Sequence, residues 1–162
     1  MGTQTYGPDA TPDKVAHQSA NDAKTTTPLL GQRLTGYKTY DRKTGNSEKT
    51  GKEITFTVNT RDLLVKHYRI FFDNGLGLRK DLLKQAVPWL KELKVWFETQ
   101  PTARIYSSSV LFTYDGAKDG GSLGIRLIDF AHVFPITDGG RDEGYIFGIG
   151  KMIEIFEELI NS

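Results

Sequence analysis

Hydrophobic and polar positions along this chain repeat with two periods, which predict an alternation of helices and short strands. Apolar residues at helical spacing predict a helix that begins at Thr60, a second from about Arg79 to Thr99, and a third that carries Tyr145 and Ile160 and closes the chain. Pro88 lies inside the second of these and is expected to kink it. Three amphipathic helices therefore supply much of the expected core.

Extended segments are predicted between these helices. Residues 32–40 and 53–58 have the composition of two strands around a polar, turn-rich loop, and residues 106–114 and 123–130 form a second such pair. Each pair is expected to be an antiparallel hairpin. Apolar alternation around Ile125, Leu127 and Phe130 predicts that the last strand is buried, with Asp129 at its end.

The first 28 residues are polar and contain few large apolar groups. A short helix is predicted from about Pro12 to Ala23, with Thr11 as its N-cap and Pro12 at its first position. The order of helix, hairpin, two helices, hairpin and helix predicts an α+β fold in which antiparallel strands pack with helices. Residues 1–162 are expected to form a single domain of this kind.

Composition narrows the class of protein. A hydrophobic fraction of 38% with 11% aromatic residues is enough for a packed core. A net charge of +1 gives the chain no overall positive potential that would attract nucleic acid, so no nucleic-acid partner is expected. The absence of cysteine excludes disulfides and thiolate metal sites. No apolar run is long enough to cross a bilayer and no signal-peptide core is present, so we expect an intracellular protein of the nucleus or cytoplasm.

The strongest candidate for chemistry lies at the end of the last predicted strand. The strand runs directly into Asp129, and His132 comes three residues later. A carboxylate at the edge of a core is costly unless it pairs with a cation or a metal, and protein kinases place a magnesium-binding Asp in this way. The simpler alternatives are that Asp129 only caps a turn and that His132 is structural.

Four longer segments resemble the inositol polyphosphate kinase family, and multikinases most of all. Ile128–His132 reads Ile-Asp-Phe-Ala-His, and Asp142–Tyr145 reads Asp-Glu-Gly-Tyr. Tyr106–Gly116 contains a Ser-Ser-Val-Leu counterpart of the family's Ser-Ser-Leu-Leu, with Val110 in place of the first Leu. Met1–Gly7 is similar to the segment immediately after the family's Pro-x-x-x-Asp-x-Lys-x-Gly signature, whose last glycine is Gly2. The resemblance covers essentially the whole chain.

This resemblance implies the C-terminal lobe of a kinase-like, ATP-grasp-related fold, without the N-terminal lobe that covers ATP in relatives. It implies ATP as phosphoryl donor, Mg²⁺ as cofactor and inositol phosphates as substrates. Asp129 is the expected metal ligand, and Ser108 or Ser109 the expected contact to metal or nucleotide phosphate. His132 is expected to face the inositol phosphate. Arg79–Asp81 matches a further family feature, for which a solvated capping role is expected.

Residues 1–28 carry the expected inositol phosphate-binding helix. Lys14 and Gln18 are four residues apart and therefore share one helix face, and the resemblance places basic substrate-binding residues in this helix. A surface lysine is more often simply solvated, and Asn21 stands where relatives carry a further basic residue. We expect Lys14, Gln18 and His132 to line one pocket.

Two other functions are compatible with the residues. One is a non-catalytic protein that retains an inositol phosphate-binding or partner surface without binding ATP, which the absence of a nucleotide lobe from these residues favours. The other is a magnesium-dependent hydrolase, which is disfavoured because Asp129 has no second acidic or histidine ligand near it in sequence.

Overall fold

Five α-helices and six short strands make up the molecule. The computed structural model describes residues 1–162. It contains α1 (Pro12–Asp22), α2 (Thr27–Leu30), α3 (Arg61–Phe71), α4 (Lys80–Thr99), α5 (Glu143–Asn161) and a 3₁₀ turn (Lys52–Phe56). The strands are β1 (Tyr37–Tyr40), β2 (Ser47–Thr50), β3 (Ala103–Ile105), β4 (Ser109–Thr113), β5 (Gly124–Ile128) and β6 (Val133–Pro135). This is a mixed arrangement of helices and antiparallel strands, so the predicted α+β class is confirmed.

The strands form three separate two-stranded antiparallel sheets. β1 pairs with β2, β3 with β6, and β4 with β5. The third pair has the longest register, with Ser109 opposite Ile128 and Thr113 opposite Gly124. Each isolated pair is marginal in water, so these sheets depend on the helices against which they pack.

The core is a single cluster of 21 buried apolar residues, to which α4 and α5 contribute most. Phe72 meets Phe156 edge to face, with ring centroids 5.4 Å apart, and Phe97 stacks on Tyr145 at 4.1 Å. All four rings are fully or almost fully buried. Such rings supply large apolar areas and a preferred geometry, which fixes α5 against α4 and the end of α3. No helix is long and apolar enough to cross a membrane.

The predicted helices are confirmed within a residue or two, including the Thr11 and Thr60 caps, which accept hydrogen bonds from Lys14 N and Leu63 N. α4 continues through Pro88 as one helix. The β4–β5 hairpin is also confirmed, with shorter strands than expected because its ends turn into loops.

The first predicted hairpin is only half right. Its first strand exists as β1, but the partner is Ser47–Thr50 and not residues 53–58. Lys52–Phe56 is a 3₁₀ turn that buries Ile54, while Val58 is buried just beyond it. A spacing of four between these apolar residues fits a helical turn on the core. β2 is entirely polar and mostly exposed, so no alternation marked it, and β3 and β6 have only three residues each.

Candidate functional site

The β4–β5 hairpin has one face toward the core and one face toward solvent. Ile125 is buried on the inner face, while Leu111 and Ile128 are 42% and 41% exposed on the outer one. Directly paired residues share a face in an antiparallel sheet. Ser109 therefore lies beside Ile128 on the outer face, two residues from Leu111.

The backbone is strained at one end of this hairpin. Ser107 has φ 61° and Asp129 has φ 66°, and these are the only two non-glycine residues of the chain with positive φ. Ser107 precedes β4 and Asp129 follows β5, so the register places both at the same end. Residues with side chains rarely adopt this conformation, and such strain concentrates at functional sites. The hairpin end is therefore the first place to look for chemistry.

The Asp129 side chain is available for a ligand. It is exposed, and it takes part in none of the nine ion pairs of the molecule. A free carboxylate on a constrained backbone suits a hard cation such as Mg²⁺, which keeps waters and takes one or two carboxylates plus substrate phosphates. No group of three or more His, Cys, Asp or Glu side chains forms a complete metal cage. The residues thus fit a magnesium ion shared with phosphates and not a metal site made only of protein ligands.

The two serines of the expected pair have different environments. Ser109 is half-buried on the outer face of β4. Ser108 is fully buried, and its hydroxyl donates a hydrogen bond to Tyr145 Oη at 2.9 Å. An enclosed hydroxyl has no surface to offer a ligand in this arrangement. Ser109 is therefore the member of the pair that remains available for the predicted phosphate or metal contact.

His132 lies on the same side of the fold as the hairpin end. Its carbonyl accepts a hydrogen bond from Tyr106 N at 2.9 Å, which ties the segment after Asp129 to the segment before Ser107. The N-terminal segment runs alongside: Ser107 Oγ donates to the Thr5 carbonyl at 3.2 Å. The Ser107 side chain thus holds Thr5 next to one of the two strained positions.

α1 continues from this segment and is anchored at its far end. Asp22 is 5% exposed and pairs with Arg33 at 2.9 Å, while Thr5 Oγ1 donates to its other oxygen at 2.6 Å. Lys14 and Gln18 are half-buried, and their side chains make no hydrogen bond within the chain. No hydrogen bond joins either side chain to His132, so the shared pocket stays a prediction.

Asp142 and Tyr145 form a structural centre that the sequence analysis did not assign. Asp142 caps α5 by accepting from Tyr145 N at 3.0 Å, and its other oxygen accepts from Ile105 N at 2.7 Å. Burial raises the pKa of the Asp142 carboxyl above its usual value and raises the pKa of Tyr145 to about 12. An Asp immediately before an apolar helix is a common capping signal that could have identified the first of these roles.

Gly144 belongs to the same centre. A Cβ at this position would lie 2.8 Å from Thr3 Oγ1 and 3.0 Å from Thr3 N, so only glycine allows the N-terminal segment to approach α5 this closely. Asp142, Gly144 and Tyr145 therefore position β3, the N-terminal segment and the start of β4.

The expectation of a solvated role for Arg79 is wrong. Arg79 is 9% exposed, and its guanidinium donates two hydrogen bonds to the two carboxylate oxygens of Asp81, at 2.8 and 2.7 Å. It also donates to the Lys118 carbonyl at 3.0 Å and lies 5.9 Å from the centre of the Tyr114 ring. Arg79 thus connects α4 to the loop that joins β4 and β5, a long-range contact that local sequence does not encode.

The comparison with known proteins decides the family. The family model described as inositol polyphosphate kinase matches residues 1–157 of the chain. The chain belongs to the inositol polyphosphate kinase family. Membership agrees with the resemblance carried by Ile128–His132 and Asp142–Tyr145.

Similar relatives include inositol hexakisphosphate kinases. Inositol hexakisphosphate kinase 2 of Rattus norvegicus is 30% identical over 203 aligned residues, covering 98% of this chain and 47% of the rat protein. Inositol hexakisphosphate kinase 3 of Mus musculus is 31% identical, with 98% and 46% covered. The chain thus spans about half the length of these inositol polyphosphate kinases.

Solved structures with the same fold are inositol phosphate multikinases. One superposes with a TM-score of 0.90 at 26% identity, covering 98% of this chain and 76% of that one. The Saccharomyces cerevisiae multikinase, solved with ADP and Mn²⁺, superposes with a TM-score of 0.85 at 20% identity, with 99% and 76% covered. The second likeness establishes the fold alone.

Proposed function

We propose that this chain supplies the metal- and substrate-binding lobe of an ATP-dependent kinase that phosphorylates hydroxyls of inositol phosphates. The observation that carries the proposal is Asp129: an exposed carboxylate with no ion pair, on a strained backbone, at the end of a hairpin. Family membership supplies the class of reaction. The surrounding structure holds Asp129 in a conformation that residues with side chains seldom adopt.

Each candidate residue has a role in this proposal. Asp129 would hold Mg²⁺, which when bound supplies positive charge to the nucleotide phosphates. Ser109, beside Ile128 on the same face, would donate a hydrogen bond to a phosphate oxygen. His132 would hydrogen-bond the accepting hydroxyl or a neighbouring phosphate of the inositol. A loose phosphoryl-transfer transition state needs positioning and charge compensation more than a strong base.

Lys14 and Gln18 would contact the other phosphates of the substrate from the α1 face. Both side chains lack internal partners, which leaves their donors free for an anion. A lysine ammonium on a helix face recognises phosphate as a point charge and does not impose one geometry. This suits a substrate that presents several phosphates in different directions.

Within the family, we propose a multikinase-like activity. Two observations support it: the Ile-Asp-Phe-Ala-His and Asp-Glu-Gly-Tyr segments resemble multikinases most, and a multikinase superposes with a TM-score of 0.90. The alternative is a hexakisphosphate kinase activity, which the 30% identity to inositol hexakisphosphate kinase 2 favours. A longer form of the protein that includes a nucleotide lobe, assayed with inositol 1,4,5-trisphosphate and inositol hexakisphosphate, separates the two.

A second candidate function is that of a non-catalytic protein that keeps an inositol phosphate-binding surface. Lys14, Gln18 and His132 all lie within residues 1–162, so this surface does not depend on a nucleotide lobe. Titration of purified 1–162 with inositol 1,4,5-trisphosphate in a calorimeter, with and without ATP and Mg²⁺, tests it. Binding that ATP does not alter, with no turnover, favours the non-catalytic function for this chain.

The proposed metal ligand can be tested on residues 1–162 directly. We expect Mn²⁺ with ADP to bind this chain weakly, as detected by the electron paramagnetic resonance signal of free Mn²⁺. Asp129→Asn should abolish that binding, and Glu92→Gln, which removes an exposed carboxylate on α4, should leave it unchanged. Equal Mn²⁺ binding by wild type and Asp129→Asn would show that Asp129 is only a turn former.

We expect no ATP-dependent turnover by 1–162 alone, and robust turnover would show that no second lobe is needed.

A further inference from the structure

The pairing of β3 with β6 continues for one residue beyond the end of β3. Inside the pair, Arg104 lies opposite Phe134. Two positions further, Tyr106 lies opposite His132, because Tyr106 N donates a hydrogen bond to the His132 carbonyl at 2.9 Å. Directly paired residues of an antiparallel ladder share one face, with Cβ atoms about 4.5–5.5 Å apart. Tyr106 is therefore the cross-strand neighbour of His132.

One face of this ladder thus carries the side chains of Arg104, Tyr106, His132 and Phe134. The rings of Tyr106 and Phe134 meet edge to face, with centroids 5.9 Å apart, which agrees with a shared face. A Cβ at Gly7 would lie 2.2 Å from Phe134 Cε2, so the backbone of Gly7 rests on the Phe134 ring. The segment that leads into α1 therefore crosses this face of the ladder.

The polar groups of this face differ in whether the protein already uses them. Arg104 Nη2 donates to both carboxylate oxygens of Asp138 at 2.9 Å, and its Nε donates to the Arg141 carbonyl at 2.9 Å. Arg104 is thus bound to the loop between β6 and α5. The half-buried side chains of Tyr106 and His132 make no hydrogen bond within the chain, and neither contains a buried polar atom without a partner. Their polar atoms therefore reach the surface.

Tyr106 is held firmly in this position. Its backbone N–H is bonded to the His132 carbonyl and its ring packs on Phe134. The next residue, Ser107, has φ 61° and donates through its hydroxyl to the Thr5 carbonyl at 3.2 Å. A group that is already fixed in place loses little conformational freedom when it binds a ligand. The Tyr106 hydroxyl is thus a preorganised polar group beside His132.

The Tyr106 hydroxyl is also kept in its protonated form. Burial raises the pKa of Tyr106 above its ordinary value of 10; the positive charge of Arg104 opposes this effect, while the negative charges of Asp142 and Asp138 add to it. A protonated tyrosine hydroxyl can donate a hydrogen bond. Hydrogen bonds to a charged acceptor such as a phosphate oxygen are the stronger ones. The chemistry of this position therefore suits an anionic oxygen next to His132.

We propose that Tyr106 is a substrate-contacting residue whose hydroxyl donates a hydrogen bond to one phosphate of the inositol phosphate, next to the group that His132 contacts. The inference rests on the proposed function, because the ligand is the substrate that lies between α1 and His132. The ammonium of Lys14 can follow a phosphate over many positions. A single hydroxyl on a fixed ring instead selects a substrate with a phosphate at one ring position. Tyr106 thus contributes specificity to the site.

Titration of residues 1–162 with inositol 1,4,5-trisphosphate in a calorimeter tests the contact. Tyr106→Phe should raise Kd about tenfold, because one hydrogen bond to a charged phosphate is lost. It should leave Tm within about 1 °C of wild type, since the hydroxyl has no partner in the chain. The matched control is Tyr40→Phe, which removes a hydroxyl without a partner from β1 and should change neither quantity.

Three inositol bisphosphates, the 1,4-, 1,5- and 4,5-isomers, identify the phosphate in contact with Tyr106. Wild type and Tyr106→Phe should bind one isomer equally, namely the isomer that lacks this phosphate. They should differ about tenfold for the other two. An equal loss of affinity for all three isomers would overturn the proposal, because it would indicate a general change of the site and not a contact with one phosphate.

Failure of this inference can be distinguished from failure of the proposed function. If Lys14→Ala and His132→Ala weaken binding while Tyr106→Phe does not, the substrate face remains and the role of Tyr106 is wrong. If none of the three substitutions changes Kd, or if wild type does not bind the trisphosphate, the substrate face is wrong and this inference fails with it. A fall in Tm of Tyr106→Phe that accompanies its loss of affinity would also overturn the inference, since the role would then be structural.

Discussion

Asp129 and Asp142 are thirteen residues apart in one family-like stretch, yet the fold uses them in opposite ways. Asp142 is 6% exposed and accepts two backbone hydrogen bonds, from Ile105 N and Tyr145 N. Asp129 is exposed, has no ion pair, and lies on a left-handed backbone. The Asp142 carboxylate holds the structure together, and the Asp129 carboxylate has no ion-pair partner within the chain. The contrast shows that a motif residue must be interpreted by its partners and not by its type.

The same contrast separates the two serines at the start of β4. Ser108 is enclosed beside Tyr145, in the region that Asp142 organises. Ser109 shares the outer face of the hairpin with Ile128, next to Asp129. Two adjacent serines thus belong to different regions: Ser108 to the structural region and Ser109 to the candidate site. Mutations on the two sides should therefore differ in kind: stability on the Asp142 side, and binding or rate on the Asp129 side.

The largest expected effect is on rate. In a longer form that has kinase activity, Asp129→Asn should lower kcat about 10³-fold, or roughly 4 kcal/mol of barrier, because metal charge near the transferring phosphoryl group is lost. Steady-state kinetics with varied Mg²⁺ measures this effect. The unfolding free energy of the same variant should change by less than about 0.5 kcal/mol. Near-normal turnover with unchanged magnesium dependence would remove the distinction between the two carboxylates.

The next effect is on stability. Asp142→Ala should lower the free energy of unfolding by about 3 kcal/mol, because α5 loses its cap and Ile105 N loses its buried acceptor. Urea denaturation of residues 1–162 measures it, with Asp129→Ala as the matched variant on the exposed side. If both alanine variants lose the same stability, the structural role is not confined to Asp142.

A smaller effect is expected on substrate binding. Lys14→Ala should raise the KM for the inositol phosphate about tenfold in an active form, since one charge-assisted phosphate contact contributes roughly 1.5–3 kcal/mol. His132→Ala should mainly lower kcat, because its partner group changes charge during the reaction. Lys84→Ala, at an exposed position of α4, is the control for loss of a surface charge. A Lys14→Ala variant with unchanged KM would place α1 outside the substrate site.

The smallest effect is on the pH dependence of stability. Burial raises the pKa of Asp142 above its ordinary value of 3.8, so the folded protein keeps this proton to higher pH than the unfolded chain. The contribution is present below the unfolded pKa and is lost as pH rises through the folded pKa. Relative to Asp142→Asn, wild type should lose stability as the pH rises from below the ordinary pKa of this carboxyl through its raised pKa in the folded protein. A constant difference between the two proteins across this range would contradict the shift.

Much of the fold was accessible from local pattern. α3, α4 and α5 have strong apolar periodicity, and Thr11, Thr60 and Pro12 mark helix starts by chemistry that acts within one turn. β4 and β5 alternate clearly enough to predict both strands and their pairing. These features depend on residues near each other in sequence, so the sequence alone determines them.

The identity of the Asp129 end as a candidate site was also accessible, because an apolar strand with Asp and His just after it is visible in a string of eight residues. Its backbone conformation was not, since no local pattern marks the positive φ of Asp129 and Ser107. The separation of Ser108 from Ser109 likewise depends on where Tyr145 lies.

Only the tertiary structure decided which residues meet over long distances. Arg79 is buried because the β4–β5 loop covers it through Lys118, and Asp142 is buried because β3 supplies Ile105 N. β2 carries no apolar signal, so its pairing with β1 depends on the turn between them and on the packing of β1 on α3. The sequence by itself determined the elements, their caps and the family motifs, through forces that act locally. The division of two aspartates into a structural one and a free one arises from contacts between segments far apart in the chain, which no local pattern encodes.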